Sequence, residues 1–205
     1  PLSINWINEN IPAIVEGWFP GEAGGKAVAD VLFGNYNPGG RLPITFPKSV
    51  GQLPIYYNQK PSAIHRYVSE SENPLYTFGY GLSYSTFEYS NLTLDKETLN
   101  RNETLKVSVT IKNTGKREGK EVVQLYIKDI WVSVSPDSKR LIGFEKAGLN
   151  PNDSKTITFE VQSSDLKFIG MDNKWIVEEG EFEIQVGGNP KELLKERFNY
   201  KICKI

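Results

Sequence analysis

Leu105-Lys106-Val107-Ser108-Val109-Thr110-Ile111-Lys112 alternates without a break between apolar and polar side chains. Successive residues of a strand point to opposite faces, so Leu105, Val107, Val109 and Ile111 turn to a core while Lys106, Ser108, Thr110 and Lys112 meet water. The same period recurs at Val123, Leu125 and Ile127, at Ile157, Phe159 and Val161, and at Phe182, Ile184 and Val186. Turn residues fall between these runs: Asn113-Thr114-Gly115, Asn150-Pro151-Asn152-Asp153 and Glu178-Glu179-Gly180. About seven short strands so spaced predict an antiparallel sandwich of the immunoglobulin or fibronectin type III kind. Cys203 is the one cysteine, which rules out an internal disulfide and favours the fibronectin-like version.

Upstream of residue 86 the composition changes. Residues 1–86 hold 9 of the 12 prolines and 10 of the 18 glycines but 11 of the 49 charged residues, a turn-rich stretch poor in solvating charge. Residues 87–205 carry 19 positive and 19 negative side chains, as a domain with a wetted exterior should. In the first part, Ala13-Ile14-Val15 leading into Trp18-Phe19-Pro20-Gly21 has the form of a buried strand end stopped by a turn. Ala23, Ala27, Val28, Val31 and Leu32 then recur near helical spacing, with Glu22 ahead of them and Gly34 just beyond. Trp18 is expected to lie beneath that helix. Proline interrupts Asn37 to Pro47 too often for a central strand, so an irregular crossing with one short extended piece is expected. Strand, turn and helix make an α/β unit, but one too small to hold a complete sheet. The expected architecture is therefore mainly β: a fibronectin type III-like sandwich preceded by a partial α/β sandwich domain whose remaining strands would lie before Pro1.

Composition excludes several functions. Net charge is -1, without the basic excess that binding nucleic acid requires. One cysteine and one histidine, His65, cannot form a cysteine cluster or a histidine metal site, so no metal or cofactor is expected. No apolar run approaches a membrane-spanning length, and no membrane partner is expected.

Trp18-Phe19-Pro20-Gly21-Glu22-Ala23-Gly24-Gly25-Lys26-Ala27-Val28-Ala29-Asp30-Val31-Leu32-Phe33-Gly34, followed by Asn37-Pro38-Gly39-Gly40-Arg41-Leu42-Pro43, resembles the second half of the α/β sandwich domain of glycoside hydrolase family 3. Gln52-Leu53-Pro54-Ile55-Tyr56-Tyr57-Asn58 and Pro74-Leu75-Tyr76-Thr77-Phe78-Gly79-Tyr80-Gly81-Leu82-Ser83-Tyr84 resemble that family's connection into its fibronectin-like domain. Asn113-Thr114-Gly115-Lys116-Arg117-Glu118-Gly119 and Leu141-Ile142-Gly143-Phe144-Glu145-Lys146 are similar to the bacterial periplasmic β-glucosidases within it.

The resemblance implies a parent enzyme with a barrel, an α/β domain and this sandwich, hydrolysing β-linked glucosides with retention in a bacterial periplasm or outside the cell. Such chemistry needs two carboxyl groups roughly 5 to 5.5 Å apart. Both are implied to lie upstream of Pro1, the nucleophile an Asp on the barrel and the acid/base a Glu of the α/β domain, so no catalytic residue is expected here. The implied partners are a β-glucoside or oligosaccharide and the upstream barrel and α/β domain of the same chain. Residues 1–60 would complete the α/β domain, 61–86 connect, and 87–205 form the sandwich.

Candidate substrate contacts are Arg66, Tyr67 and Glu70 in the connecting segment, beside Glu72. Glu70 and Glu72 would face opposite ways on extended chain and make no catalytic pair alone. Seven of the ten tyrosines lie from Tyr56 to Tyr89, where they offer either a sugar-stacking platform or packing at a domain boundary. Gly79 and Gly81 would permit a tight backbone path there. Asn91, Asn102 and Asn152 head glycosylation-type triplets, alternatively read as strand-edge and turn residues. Two alternatives to a β-glucosidase stay open: a β-xylosidase or N-acetylglucosaminidase of the same family, and a carbohydrate-binding or adhesion module.

Overall fold

The computed structural model describes residues 2–61 and 71–202. Residues 87–201 form the sandwich. Its strands are β1 (Phe87–Leu94), β2 (Thr98–Asn100), β3 (Thr104–Asn113), β4 (Gly119–Asp129), β5 (Arg140–Leu149), β6 (Ser154–Gln162), β7 (Phe168–Ile169), β8 (Trp175–Ile176), β9 (Gly180–Asn189) and β10 (Glu192–Lys201). One sheet has the order β1-β3-β6 and the other β2-β10-β9-β4-β5, with β7 and β8 as a separate hairpin. Pairing is antiparallel except between β2 and β10. The alternating run of β3 meets β6 in register, Val107 opposite Phe159 and Val109 opposite Ile157.

The inward residues of both sheets close a single core. Leu105, Val107, Val109 and Ile111 pack there with Val123, Leu125, Ile157, Val161, Phe182, Ile184 and Val186, all buried. Each such side chain taken from water contributes roughly 1.5–3 kcal/mol, the main force holding the two sheets together. The three glycosylation-type asparagines adopt positive φ, at 52° for Asn91 and 68° for Asn102 and Asn152. That conformation suits Asn in turns and at the break in β1–β3 pairing between Ser90 and Thr93.

Residues 2–84 are built differently. Their described residues contain helices α1 (Asn5–Asn10) and α2 (Gly24–Leu32), a 3₁₀ turn at Val50–Gln52, and a β-bridge, Phe46 with Tyr76. Around that bridge the chain from Leu42 to Phe46 runs against the chain from Leu75 to Tyr80: Leu42 N–H donates to Tyr80 O at 2.8 Å and Phe46 N–H to Tyr76 O at 2.8 Å. The expected irregular crossing with one extended piece is thus present.

The expected strand end at Ala13–Phe19 is not formed. Its residues have no strand neighbour among the described residues to satisfy their backbone, so the apolar run lies open, with Phe19 fully exposed. Trp18 is likewise not beneath α2. It is 48% exposed and touches the Phe46 ring edge-on at 6.1 Å.

Candidate functional site

Residues 2–84 meet the sandwich along a seam with three parts. The first is a buried ion pair. Arg41 Nη2 lies 2.5 Å from Glu121 Oε2, and the two side chains are 9% and 3% exposed. Tyr89 Oη, from the opposite sheet, donates to Glu121 Oε1 at 2.9 Å. Burial pushes the Glu121 carboxyl above the ordinary carboxylate range, although Arg41 and Tyr89 both oppose that shift. Burial, then the neighbouring carboxylate, raises the Tyr89 phenol far above its usual value, so Tyr89 stays a proton donor.

Gly188 of β9 leaves the space that Glu121 fills. A Cβ there would stand 1.7 Å from Glu121 Oε1 and 2.7 Å from Tyr89 Oη. Gly188→Ala is therefore expected to expel the carboxylate and lower stability by at least the roughly 1–3 kcal/mol of an overpacked site. Urea unfolding checks this, and a midpoint equal to wild type would contradict it.

The second part covers the outer face of β4. Gln124 Nε2 donates to Gly79 O at 3.1 Å and to Gly188 O at 3.2 Å, while Gln124 Oε1 accepts from Tyr126 Oη at 2.5 Å. Gly79 has φ +80°, and a Cβ on it would lie 2.1 Å from Gln124 Oε1, so the close approach requires glycine. Tyr57 stacks on Phe78 at 4.5 Å and meets Tyr126 edge-on at 6.2 Å.

The third part is a polar latch. Asn37 Nδ2 donates to Ser85 Oγ at 3.0 Å and to Glu118 O at 2.7 Å, and Asn37 Oδ1 accepts from Tyr84 N–H at 2.8 Å. Arg117 Nη1 reaches Gly34 O at 3.0 Å, just past the end of α2.

A cleft of about 230 Å³ opens beside the second part, lined in part by Tyr56, Tyr57, Glu72, Phe78, Tyr126 and Lys139. Lys139 Nζ donates to Pro190 O at 3.0 Å and lies 4.7 Å from the centre of the Tyr126 ring. Burial, then Lys195, pulls its pKa down to about 8. Glu72 is the one carboxylate among the described lining residues, so those residues supply no carboxylate pair for retaining hydrolysis.

Of the residues singled out from sequence, Arg66, Tyr67 and Glu70, with His65 and Cys203, lie outside the described residues. Glu72 sits exposed on the cleft. Most tyrosines of the connecting stretch are engaged in packing. Tyr76 stacks on Tyr80 at 5.2 Å and donates to Asn8 Oδ1 at 2.5 Å, Tyr84 donates to Val31 O at 2.6 Å, and Tyr56 remains largely exposed. Arg41, Glu121, Gln124 and Lys139 were not anticipated. A carboxylate at the core-facing parity of β4 was the available signal for Glu121.

Comparison with known proteins matches residues 1–84 to the glycosyl hydrolase family 3 C-terminal domain and residues 121–189 to the fibronectin type III-like domain. A periplasmic β-glucosidase of Salmonella typhimurium is 45% identical over 198 residues, which is 91% of this chain and 26% of that protein. A β-xylosidase of Formosa agariphila is 45% identical over 195 residues, 93% of this chain and 27% of its own. Among solved structures, a β-glucosidase from Erythrobacter marinus superposes with a TM-score of 0.93 at 41% identity, over 98% of this chain and 27% of its own. The β-glucosidase of Listeria innocua in complex with isofagomine gives 0.92 at 35% identity, over 98% and 30%. The chain thus spans about a quarter of the length of the curated relatives it matches. With both parts matched in order along nearly its whole length, the chain belongs to glycosyl hydrolase family 3 and corresponds to a C-terminal portion of its members.

Proposed function

We propose that the chain is the C-terminal part of a retaining β-glucosidase that releases terminal β-linked glucose, and that this part holds the enzyme's domains in place without a catalytic carboxylate of its own. Residues 1–60 would complete an α/β domain, 61–86 connect, and 87–205 support. The observation that carries this reading is the contrast between two surfaces. Toward the sandwich, residues 2–84 are fastened by a buried ion pair and a packed seam. Elsewhere they present Trp6, Val15, Phe19, Leu32 and Phe33 to solvent. Large exposed apolar side chains of this kind suit an interface with further polypeptide, here the barrel and α/β domain of the parent.

The seam would act by positioning. A displacement of about 1 Å between reacting groups can cost on the order of a hundredfold in rate, and the sandwich would fix the α/β domain against such drift. The name of the Salmonella relative supports a periplasmic or secreted enzyme. No helix among the described residues is long and apolar enough to cross a membrane.

The pure 205-residue chain is expected to release no nitrophenol from an aryl β-glucoside above the buffer rate. Turnover that one carboxylate substitution abolishes would refute the proposal. The equal identity of the Formosa β-xylosidase supports a second sugar reading, and an aryl glucoside, xyloside and N-acetylglucosaminide panel on the intact enzyme separates them.

A further inference from the structure

A second cleft, of about 270 Å³, opens where the loop after β4 faces the β7–β8 hairpin, and it shares no lining residue with the first. Its depth reaches the end of the sandwich core at Ile127, Leu166 and Phe182. Trp175 lines it while remaining 66% exposed, and is paired across the hairpin with Ile169. An indole kept in solvent at the mouth of a concave surface presents a flat apolar face to whatever enters.

Asp129 supplies the polar counterpart. Its Oδ1 is shielded from solvent and has no hydrogen-bond partner among the described residues. Burial pushes this carboxyl up to about 6, Trp131 N–H lowers it, Glu178 raises it and Arg140 lowers it. At neutral pH it is chiefly a carboxylate, held where an acceptor without a donor costs stability. Such local sacrifices are expected at functional sites. Arg140 does not relieve it with its terminal nitrogens: Nη1 donates to Lys167 O at 2.5 Å and Nη2 to Asp165 O.

The ligand chemistry follows from the lining. Asp129 calls for a hydroxyl donor, Trp175 for a flat face of C–H groups, and the balanced charges of the lining favour a neutral ligand over an ion. Lys60 and Arg140 repel a cation, and Asp129 with Asp137 repels an anion. A neutral pyranose meets all three demands, with equatorial hydroxyls around an apolar ring face. Pockets of this kind combine mostly apolar lining with a few fixed polar groups.

We propose that this cleft is a second carbohydrate site, taking one pyranose of a neutral β-glucan on the face of Trp175 with a sugar hydroxyl donating to the Asp129 carboxylate. The choice of glucan rests on the glycosidase reading above; the site itself does not. Such a site would tether a polymer beside the enzyme and raise its effective concentration.

The test is a titration of the 205-residue chain with cellotetraose and with laminaritetraose, read on the indole N–H resonances of its four tryptophans. The Trp175 resonance should shift saturably with a dissociation constant of order mM. Trp175→Ala and Asp129→Ala should each weaken binding at least about tenfold, the loss of roughly 1.4 kcal/mol, and Trp18→Ala should leave it unchanged. Trp175 is largely exposed, so its removal spares the fold. The proposal is overturned by no shift at about 20 mM sugar, well above saturation for a mM site, by shifts confined to Trp6 or Trp18, or by affinity that survives both cleft substitutions. The aryl glycoside assays do not depend on Trp175, so the two readings can fail separately.

Discussion

Arg41→Ala should destabilise the docked chain by about 3–5 kcal/mol, the range for a buried ion pair that loses one partner. Glu121, 3% exposed in the wild type, would keep Tyr89 Oη as its remaining partner. The cost has a ceiling, because residues 2–84 can lift from the seam and let water reach the carboxylate. The variant's deficit is therefore expected to appear as undocking before it appears as loss of the sandwich. Its pH dependence has a definite sign. Glu121 already has a raised pKa in the folded chain, and removing the guanidinium raises it further. A folded-state pKa above the unfolded value favours folding below the unfolded pKa, and that benefit is lost as pH rises through the folded pKa. The deficit should be greatest in alkaline buffer and shrink in mild acid. Replacing both Arg41 and Glu121 by leucine should recover much of the loss, since an apolar pair leaves no buried charge. Urea unfolding of the wild type and both variants in the two buffers measures these effects. An Arg41→Ala midpoint unchanged from wild type at alkaline pH would show that the pair contributes nothing.

Leu125→Ala should cost about 2–5 kcal/mol and act on a different unit. Leu125 is 1% exposed on β4, between β5 and β9, opposite Gly143 and Val186. Its loss leaves a cavity in the one core that both sheets share, and β strands on all sides limit collapse into it. The whole sandwich should weaken together, and the first part with it, because the seam is built on β4. Thermal and urea midpoints should both fall. A variant that lost only the docking of residues 2–84 would contradict the view that the sandwich core is one cooperative unit.

These two substitutions also show how far the residues alone could be read. The sandwich was legible because a period of two with polar interruptions has few physical alternatives, and β3 pairs with β6 as the alternation demands. The same period misled on β4. Gln124 and Tyr126 stand at the wet parity yet are 3% and 0% exposed, because Tyr57, Phe78 and Gly79 cover that face. Glu121 occupies the inward parity shared by Val123, Leu125 and Ile127, where a carboxylate demands a buried partner. That demand was visible in the strand pattern. Its answer, Arg41, lies 80 positions away, and no local pattern connects the two. The failed strand at Ala13–Phe19 has a related cause: apolar run length reports an appetite for burial, whereas a strand also needs a neighbour to take its backbone hydrogen bonds. Asp129 and Trp175 stand 46 positions apart and are joined only by the cleft that both line.

The scaffold reading requires a sandwich that is stable in itself and a first part secured to it chiefly at Arg41. Amide hydrogen exchange of the 205-residue chain, wild type against Arg41→Ala, tests this directly. In the wild type, amides of β3, β4 and β9 should exchange only through global unfolding, and those of α2 through an easier, partial opening. Arg41→Ala should speed exchange across residues 24–46 while the protection of β3 and β9 stays high. Equal acceleration in α2 and β3, or none in α2, would mean that the Arg41–Glu121 pair does not hold the first part to the sandwich.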